Sequence, residues 1–144
     1  MVNVTAMSEE LLAQVATMAE RGASLCGVTV SDDAEEIVRA LNGWALASRD
    51  AGAQIDPDDV VAVGALLGEQ FIRAFGWHWG EMAYPDGMTA FAVLDPDELA
   101  ACQPINWAYW VLVDGEEVTF ALTFSMVAAG EHPRAGDGDP VTFH

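Results

Sequence analysis

Lysine is absent from this 144-residue chain, and arginine supplies its only five strongly basic side chains. Without lysine the chain has no Schiff-base residue and cannot form a phosphate loop that ends in lysine. Asp and Glu together number 23, so the formal net charge is −18. A field of this sign repels nucleic acid and anionic lipid and attracts basic proteins. We therefore expect a basic protein as partner, and no direct contact with nucleic acid or membrane.

Two other interpretations of the acidity stay open. It also fits a chain whose carboxylates only keep it soluble, or one that works in a salty cell.

Cysteine and histidine are scarce as well. Cys26 and Cys102 are too far apart in sequence to suggest a metal cluster, and buried, reduced thiols are the usual state of such residues. His78, His132 and His144 have no partner at metal-ligand spacing. No serine lies in a G-x-S-x-G motif. The expectation is therefore no catalytic residue, no metal and no cofactor.

Targeting and membrane signals are also missing. The N-terminal residues MVNVTAMSEE contain neither a basic region nor an apolar run, so no signal peptide is predicted. The most apolar helical stretch is interrupted by Glu69 and Arg73 and is too short to span a bilayer. We expect a cytoplasmic protein.

The stretch from Asp56 to Trp79 is the most clearly patterned part of the chain. Asp56 suits an N-cap, Pro57 suits the first helical position, and Gly76 is placed to end the helix. Apolar residues between them recur at spacings of three and four, which predicts a helix.

Two glycines inside this helix, Gly64 and Gly68, are four residues apart. Glycine within a helix costs about 1 kcal/mol relative to alanine. We therefore predict that the two glycines lie at a tight contact within the domain.

Two more helices are predicted before this one. The first begins at Ser8 and has a plausible end at Gly22, and the segment from Ala23 to Val30 could extend it or form a loop. The second begins at Asp32 and is closed by Gly52.

From Trp77 onward the apolar period changes to two, which predicts strands. Strands at 77–84 and 88–94 are joined by a turn at residues 85–87, and a short helical turn follows at 95–101. Strands at 107–113 and 118–124 are joined by a hairpin at Asp114-Gly115.

The predicted fold is α+β, with three N-terminal helices packed on a four-stranded antiparallel β-meander. Residues 1–129 form a single domain, and residues 130–144, rich in glycine and proline, form a flexible C-terminal tail.

The segment 60–127 resembles a family of small bacterial α+β domains that has no assigned activity. Its pattern is a helix written L-G-x-x-L-G-E, then a glycine and a tryptophan that opens a strand. The matching residues are Gly64, Leu67, Gly68, Glu69, Gly76, Trp77 and Trp79, with Asp114-Gly115 as the later turn. Val63 replaces the first leucine, and the acidic connection at Asp95 is a further departure. Domains of this appearance occur among proteins that protect bacteria from toxins, so the resemblance implies an immunity-like role.

The leading hypothesis is a non-catalytic immunity or inhibitor protein that neutralises a basic toxin, such as a nuclease. The candidate partner-binding residues are Asp95, Asp97, Glu98, Asp114, Glu116, Glu117 and Trp110. We expect these carboxylates to stay solvated, because they lie in connections that leave the sheet.

Two alternatives stay open. One is a small-ligand protein or enzyme with a pocket between helices and sheet, near His78 and Glu81. The other is an acidic mimic of nucleic acid.

Overall fold

Five helices and one five-stranded mixed sheet make up the computed structural model, which describes residues 1–144. The α+β class is confirmed, whereas the prediction of three helices on a four-stranded antiparallel meander is wrong. In chain order the elements are β1 (Asn3–Ala6), α1 (Glu9–Cys26), α2 (Ala34–Asp50), α3 (Pro57–Phe75), β2 (His78–Ala83), β3 (Thr89–Leu94), β4 (Ala100–Cys102), α4 (Pro104–Leu112), α5 (Phe120–Ala128) and β5 (Val141–Thr142).

Helix α3 lies at the centre and packs against α1, α2 and α4. The Asp56 carboxylate accepts a hydrogen bond from the Asp58 N–H at 2.8 Å, and Gly76 ends the helix at φ 70°. Both ends are as predicted, because each is specified by the chemistry of one residue.

The two glycines of α3 lie at tight contacts, which confirms the prediction. A Cβ on Gly64 would lie 2.5 Å from the Ile105 Cα of α4. One on Gly68 would lie 2.3 Å from the Trp79 ring. The missing side chains therefore allow α4 and the Trp79 indole to approach the α3 backbone.

The ends of α1 and α2 differ slightly from prediction. Ser8 caps α1, accepting from the Leu11 N–H at 3.2 Å, but the helix continues to Cys26 and ends at Gly27, whose φ is 72°. The residue that caps α2 is Asp33. The carboxylate of Asp32 instead accepts from the Thr29 N–H before the helix begins.

The sheet order is β1-β2-β3-β4-β5, with every neighbouring pair antiparallel except β4 and β5. The β2–β3 hairpin is confirmed. The predicted helical turn at 95–101 is wrong, because the chain there makes a tight turn and continues into β4. Strand β1 was not predicted at all.

The main error concerns residues 107–124, predicted as two strands and found as α4 and α5. Short apolar runs rich in aromatic residues fit both periods, so alternation alone does not separate strand from helix. The buried residues of each helix follow the spacing i, i+3, i+4, i+7 of one helical face. They are Pro104, Trp107, Ala108 and Val111 in α4, and Phe120, Thr123, Phe124 and Val127 in α5.

A proline at the first position of α4 was a further helix signal. Asp114-Gly115 is consequently part of a helix-to-helix loop, not of a hairpin. The start of α5 is capped from α2, since the Ala121 N–H donates to the Asn42 side chain at 3.1 Å.

The helices cover one face of the sheet. The main core joins them to Trp77, Trp79 and Val93. A smaller apolar cluster containing Met82 and Leu94 occupies the other face, because successive strand residues point to opposite sides.

Residues 130–144 run alongside β4 and include the edge strand β5. The Ala135 and Val141 N–H groups donate to the Leu99 carbonyl, and the Phe143 N–H donates to the Ala101 carbonyl. The flexibility of this segment stays a prediction. If the segment moves, these hydrogen bonds to β4 and to the turn before it are the ones that must break.

Candidate partner-binding surface

The loop between α4 and α5 places three of the predicted carboxylates in solvent. Asp114, Glu116 and Glu117 are all exposed. Arg49 of α2 donates to the backbone carbonyls of Gly115 (3.0 Å) and Glu116. This arginine holds the loop through its backbone and leaves the carboxylates free of a direct arginine contact.

The turn between β3 and β4 uses its carboxylates differently. Asp95 is only 5% exposed, and its Oδ1 accepts from the N–H groups of Leu99 and Ala100. Its other oxygen accepts from the Arg134 Nε at 2.9 Å. The expectation that this carboxylate stays solvated is wrong, because it organises the turn from within.

The neighbouring acids of this turn are more accessible. Asp97 is exposed and pairs with Arg134, so this arginine joins two carboxylates. Glu98 is half-buried at a positive φ of 58°, and its carboxylate lies 3.5 Å from the His78 Nε2. The turn is therefore more neutralised than the α4–α5 loop.

Trp110, the predicted aromatic contact, is half-buried. Its ring centroid lies 5.0 Å from that of His144, whose Nε2 lies 3.1 Å from the Glu116 carboxylate. The C-terminal residues therefore contact both the aromatic side chain and the acidic loop.

All five arginines are engaged within the molecule. Arg21 pairs with Asp59 at 2.7 Å and Arg39 with Glu35 at 2.6 Å. Arg73 donates to the Gln70 side chain and the Asp32 carbonyl, while Arg49 and Arg134 have the partners described above. The surface consequently presents many carboxylates and no arginine that lacks an internal contact.

The two predicted pocket residues are not brought together. His78 is exposed on β2 and faces Glu98, whereas Glu81 pairs in register with Thr5 and Phe91. No group of three or more His, Cys, Asp or Glu side chains is arranged to hold a metal ion.

Both cysteines are free. Burial raises the pKa of the Cys26 thiol to about 12 and also raises that of Cys102. Both side chains therefore stay protonated thiols near neutral pH, as expected of residues that pack and do not react.

An electrostatic influence that sequence reasoning missed acts on Glu69 of α3. Burial raises the pKa of the Glu69 carboxyl, while the Trp79 indole and the Arg73 charge act in the opposite direction. The Trp79 Nε1 is buried and has no hydrogen-bond partner. Because Gly68 leaves room for the indole, the position of Trp79 beside α3 follows from tertiary packing and not from a spacing in the sequence.

An apolar trough crosses three helices on the surface. One part, about 130 Å³, is lined by Leu11, Val15 and Met18 of α1 together with residues of α3, β3 and α4. A second part, about 230 Å³, runs between α3 and α4 toward Tyr109 and Val113.

The two parts share Val61 and Ile105 and are therefore adjacent, and we name them together the α1–α3–α4 trough. Sequence reasoning missed it because the residues of α4 were predicted to form a strand.

None of the five helices combines the length and the apolar character needed to cross a bilayer. Comparison with known proteins reveals no relative: no protein-family model, curated protein or solved structure matches the chain. The family resemblance of residues 60–127 therefore stays a hypothesis.

Proposed function

We propose that the protein is a non-catalytic binding protein that recognises a basic partner protein through carboxylates. The observation that supports this most is the engagement of all five arginines by internal groups in a chain of net charge −18. A partner therefore meets a surface whose unpaired charges are negative, and complementary charge accelerates association with a basic protein.

The α4–α5 loop is the best placed recognition element. Its exposed carboxylates of Asp114, Glu116 and Glu117 are carried on a backbone that Arg49 holds in position. A loop fixed before binding loses less conformational entropy when it is bound. The family resemblance adds a specific form of the proposal, in which the partner is a basic toxin such as a nuclease and the protein covers its positive site.

The experiment compares three baits in host lysate at low salt: the wild type, Glu116→Lys/Glu117→Lys, and Glu20→Lys/Glu131→Lys. The last variant makes the same change in charge at exposed positions outside the loop. We expect the wild-type and control eluates to contain a basic protein that is depleted from the eluate of the loop variant. The melting temperatures of the three proteins should differ little.

The identified partner is then used for kinetics. Its association rate should fall steeply as salt is raised from about 0.05 M to roughly 1 M, where the Debye length is about 3 Å. Equal rates at both salt concentrations, together with unchanged binding of the loop variant, would contradict the proposal. The identity of the partner separates toxin inhibition from mimicry of nucleic acid, since a mimic would capture a DNA-binding protein.

A further inference from the structure

The α1–α3–α4 trough is an apolar channel that the fold leaves uncovered. Val61 and Ala65, four residues apart on α3, line it between larger side chains from α1 and α4. Tyr109 and Val113 at one end are 48% and 51% exposed. Tyr109 and Val113 therefore give the trough an apolar surface that a partner can reach.

Acidic residues border the trough where it opens to solvent. The exposed Asp56 and Asp58 flank the lining residue Pro57, and Asp114 directly follows Val113. The nearest cation on α1, Arg21, is already paired with Asp59. The border is therefore negative around an apolar floor.

We infer that the trough binds one amphipathic helix of a basic partner protein, with the apolar face of that helix in the channel and its Lys and Arg residues toward the bordering acids. Grooves between helices take helical ligands in this way. A second copy of this chain is disfavoured as the occupant, because it would bring a further net charge of −18 to the same border. This inference rests on the proposed function. It adds an apolar contact area, the trough, to the carboxylates that are proposed to recognise the partner.

The test uses a synthetic helix of about 18 residues, roughly five turns, with leucine on one face and lysine on the other. A peptide of the same composition, reordered so that no apolar face forms, is its control. The Tyr109→Glu/Val113→Glu variant changes the trough. The Leu46→Glu/Leu122→Glu variant is matched to it, because those residues are 47% and 61% exposed and do not line the trough.

Each variant gains two negative charges, which alone would attract a cationic peptide more strongly. Loss of affinity in the trough variant therefore cannot come from the added charge, and an unchanged melting temperature would assign it to lost apolar contact. We expect the amphipathic helix to bind that variant about tenfold more weakly than it binds the wild type or the matched variant. Amide shifts in the ¹⁵N spectrum of the wild type should concentrate at Val61, Ala65 and Ile105, a readout that needs no variant to fold.

Four results would overturn the inference. Equal binding of both peptides, or shifts confined to the α4–α5 loop, would show that attraction is electrostatic alone, and the proposed function would stand without the trough. A wild-type dimer in sedimentation that the trough variant abolishes would assign the trough to a second copy. Absence of any peptide binding at low salt would contradict both the trough and the proposed acidic recognition.

Discussion

At the scale of single residues, Gly68 shows how a missing side chain positions a neighbouring element. The Trp79 ring occupies the space that a Cβ would need, and Pro104 approaches from α4. Any larger residue must displace the indole, one of the largest groups in the core.

Gly68→Leu should therefore lower the free energy of unfolding by roughly 1–3 kcal/mol through overpacking, measured by urea denaturation. Gly43→Leu is the matched control, since Gly43 is an exposed glycine of α2 and a Cβ added there would meet nothing within 4 Å. It should stabilise by up to about 1 kcal/mol through helix propensity. Equal effects at the two sites would contradict the packing argument.

Asp95 makes a pH-dependent contribution whose sign follows from its partners. Burial alone would raise the pKa of this carboxyl, but hydrogen bonds from Arg134, Ala100 and Leu99 together hold the pKa below its usual value. A carboxyl with a lowered folded pKa stabilises the protein above its unfolded pKa of about 3.9, and loses that contribution as pH falls through the folded value.

Asp95→Asn should accordingly lower the free energy of unfolding by roughly 1–3 kcal/mol near neutral pH. The reason is that the negatively charged acceptor of three hydrogen bonds is lost. The difference from the wild type should shrink in denaturant titrations as the pH falls below about 4. Asp97→Asn, at the exposed carboxylate on the same arginine, should change stability little. If the free energy of unfolding of Asp95→Asn differs from that of the wild type by the same amount at every pH, the explanation through the Asp95 charge is wrong.

At the scale of elements, helix ends were predictable and element type was less so. Ser8, Asp56 and Gly76 act on backbone groups within a few residues, so their effects are readable from the sequence. Whether these two segments form helices or strands depends on which of their side chains are covered, by α3 for α4 and by α2 for α5. That covering is a property of the tertiary structure. The helical spacing of their buried residues was present in the sequence but competed with a plausible alternation.

The segment 130–144 is predicted to depend on Arg134 for its attachment to the turn before β4. Arg134→Met removes the contacts with Asp95 and Asp97, so amide hydrogen exchange should accelerate at Ala135 and Val141.

Arg39→Met is the control for this experiment. It removes only the exposed pair with Glu35 on α2 and should leave exchange in the segment unchanged. Unaltered exchange in Arg134→Met would mean that the strand hydrogen bonds and aromatic contacts suffice to hold the segment.

At the scale of the whole molecule, self-repulsion opposes folding. The chain has a net charge of −18, and its carboxylates lie closer together in the folded state than in the unfolded state. We expect the melting temperature at neutral pH to rise with sodium chloride up to about 1 M, because added ions screen this repulsion. Near pH 4.1, the isoelectric point, the rise should be much smaller. Equal salt dependence at the two pH values would assign the effect to something other than net charge.

The sequence by itself determined the α+β class, the N-cap of α1, both caps of α3, the β2–β3 hairpin and the close packing at Gly64 and Gly68. Each of these follows from local backbone chemistry or from the period of apolar residues.

Tertiary structure decided between helix and strand for α4 and α5, and it alone decided that β4 pairs with β5 and that Asp95 is buried beneath Arg134. It also decided that α1, α3 and α4 meet around an apolar trough. The β4–β5 pairing, the burial of Asp95 and the trough join residues far apart in the chain, so no local spacing encodes them. The choice of helix for α4 and α5 comes from burying one face of each against the rest of the core.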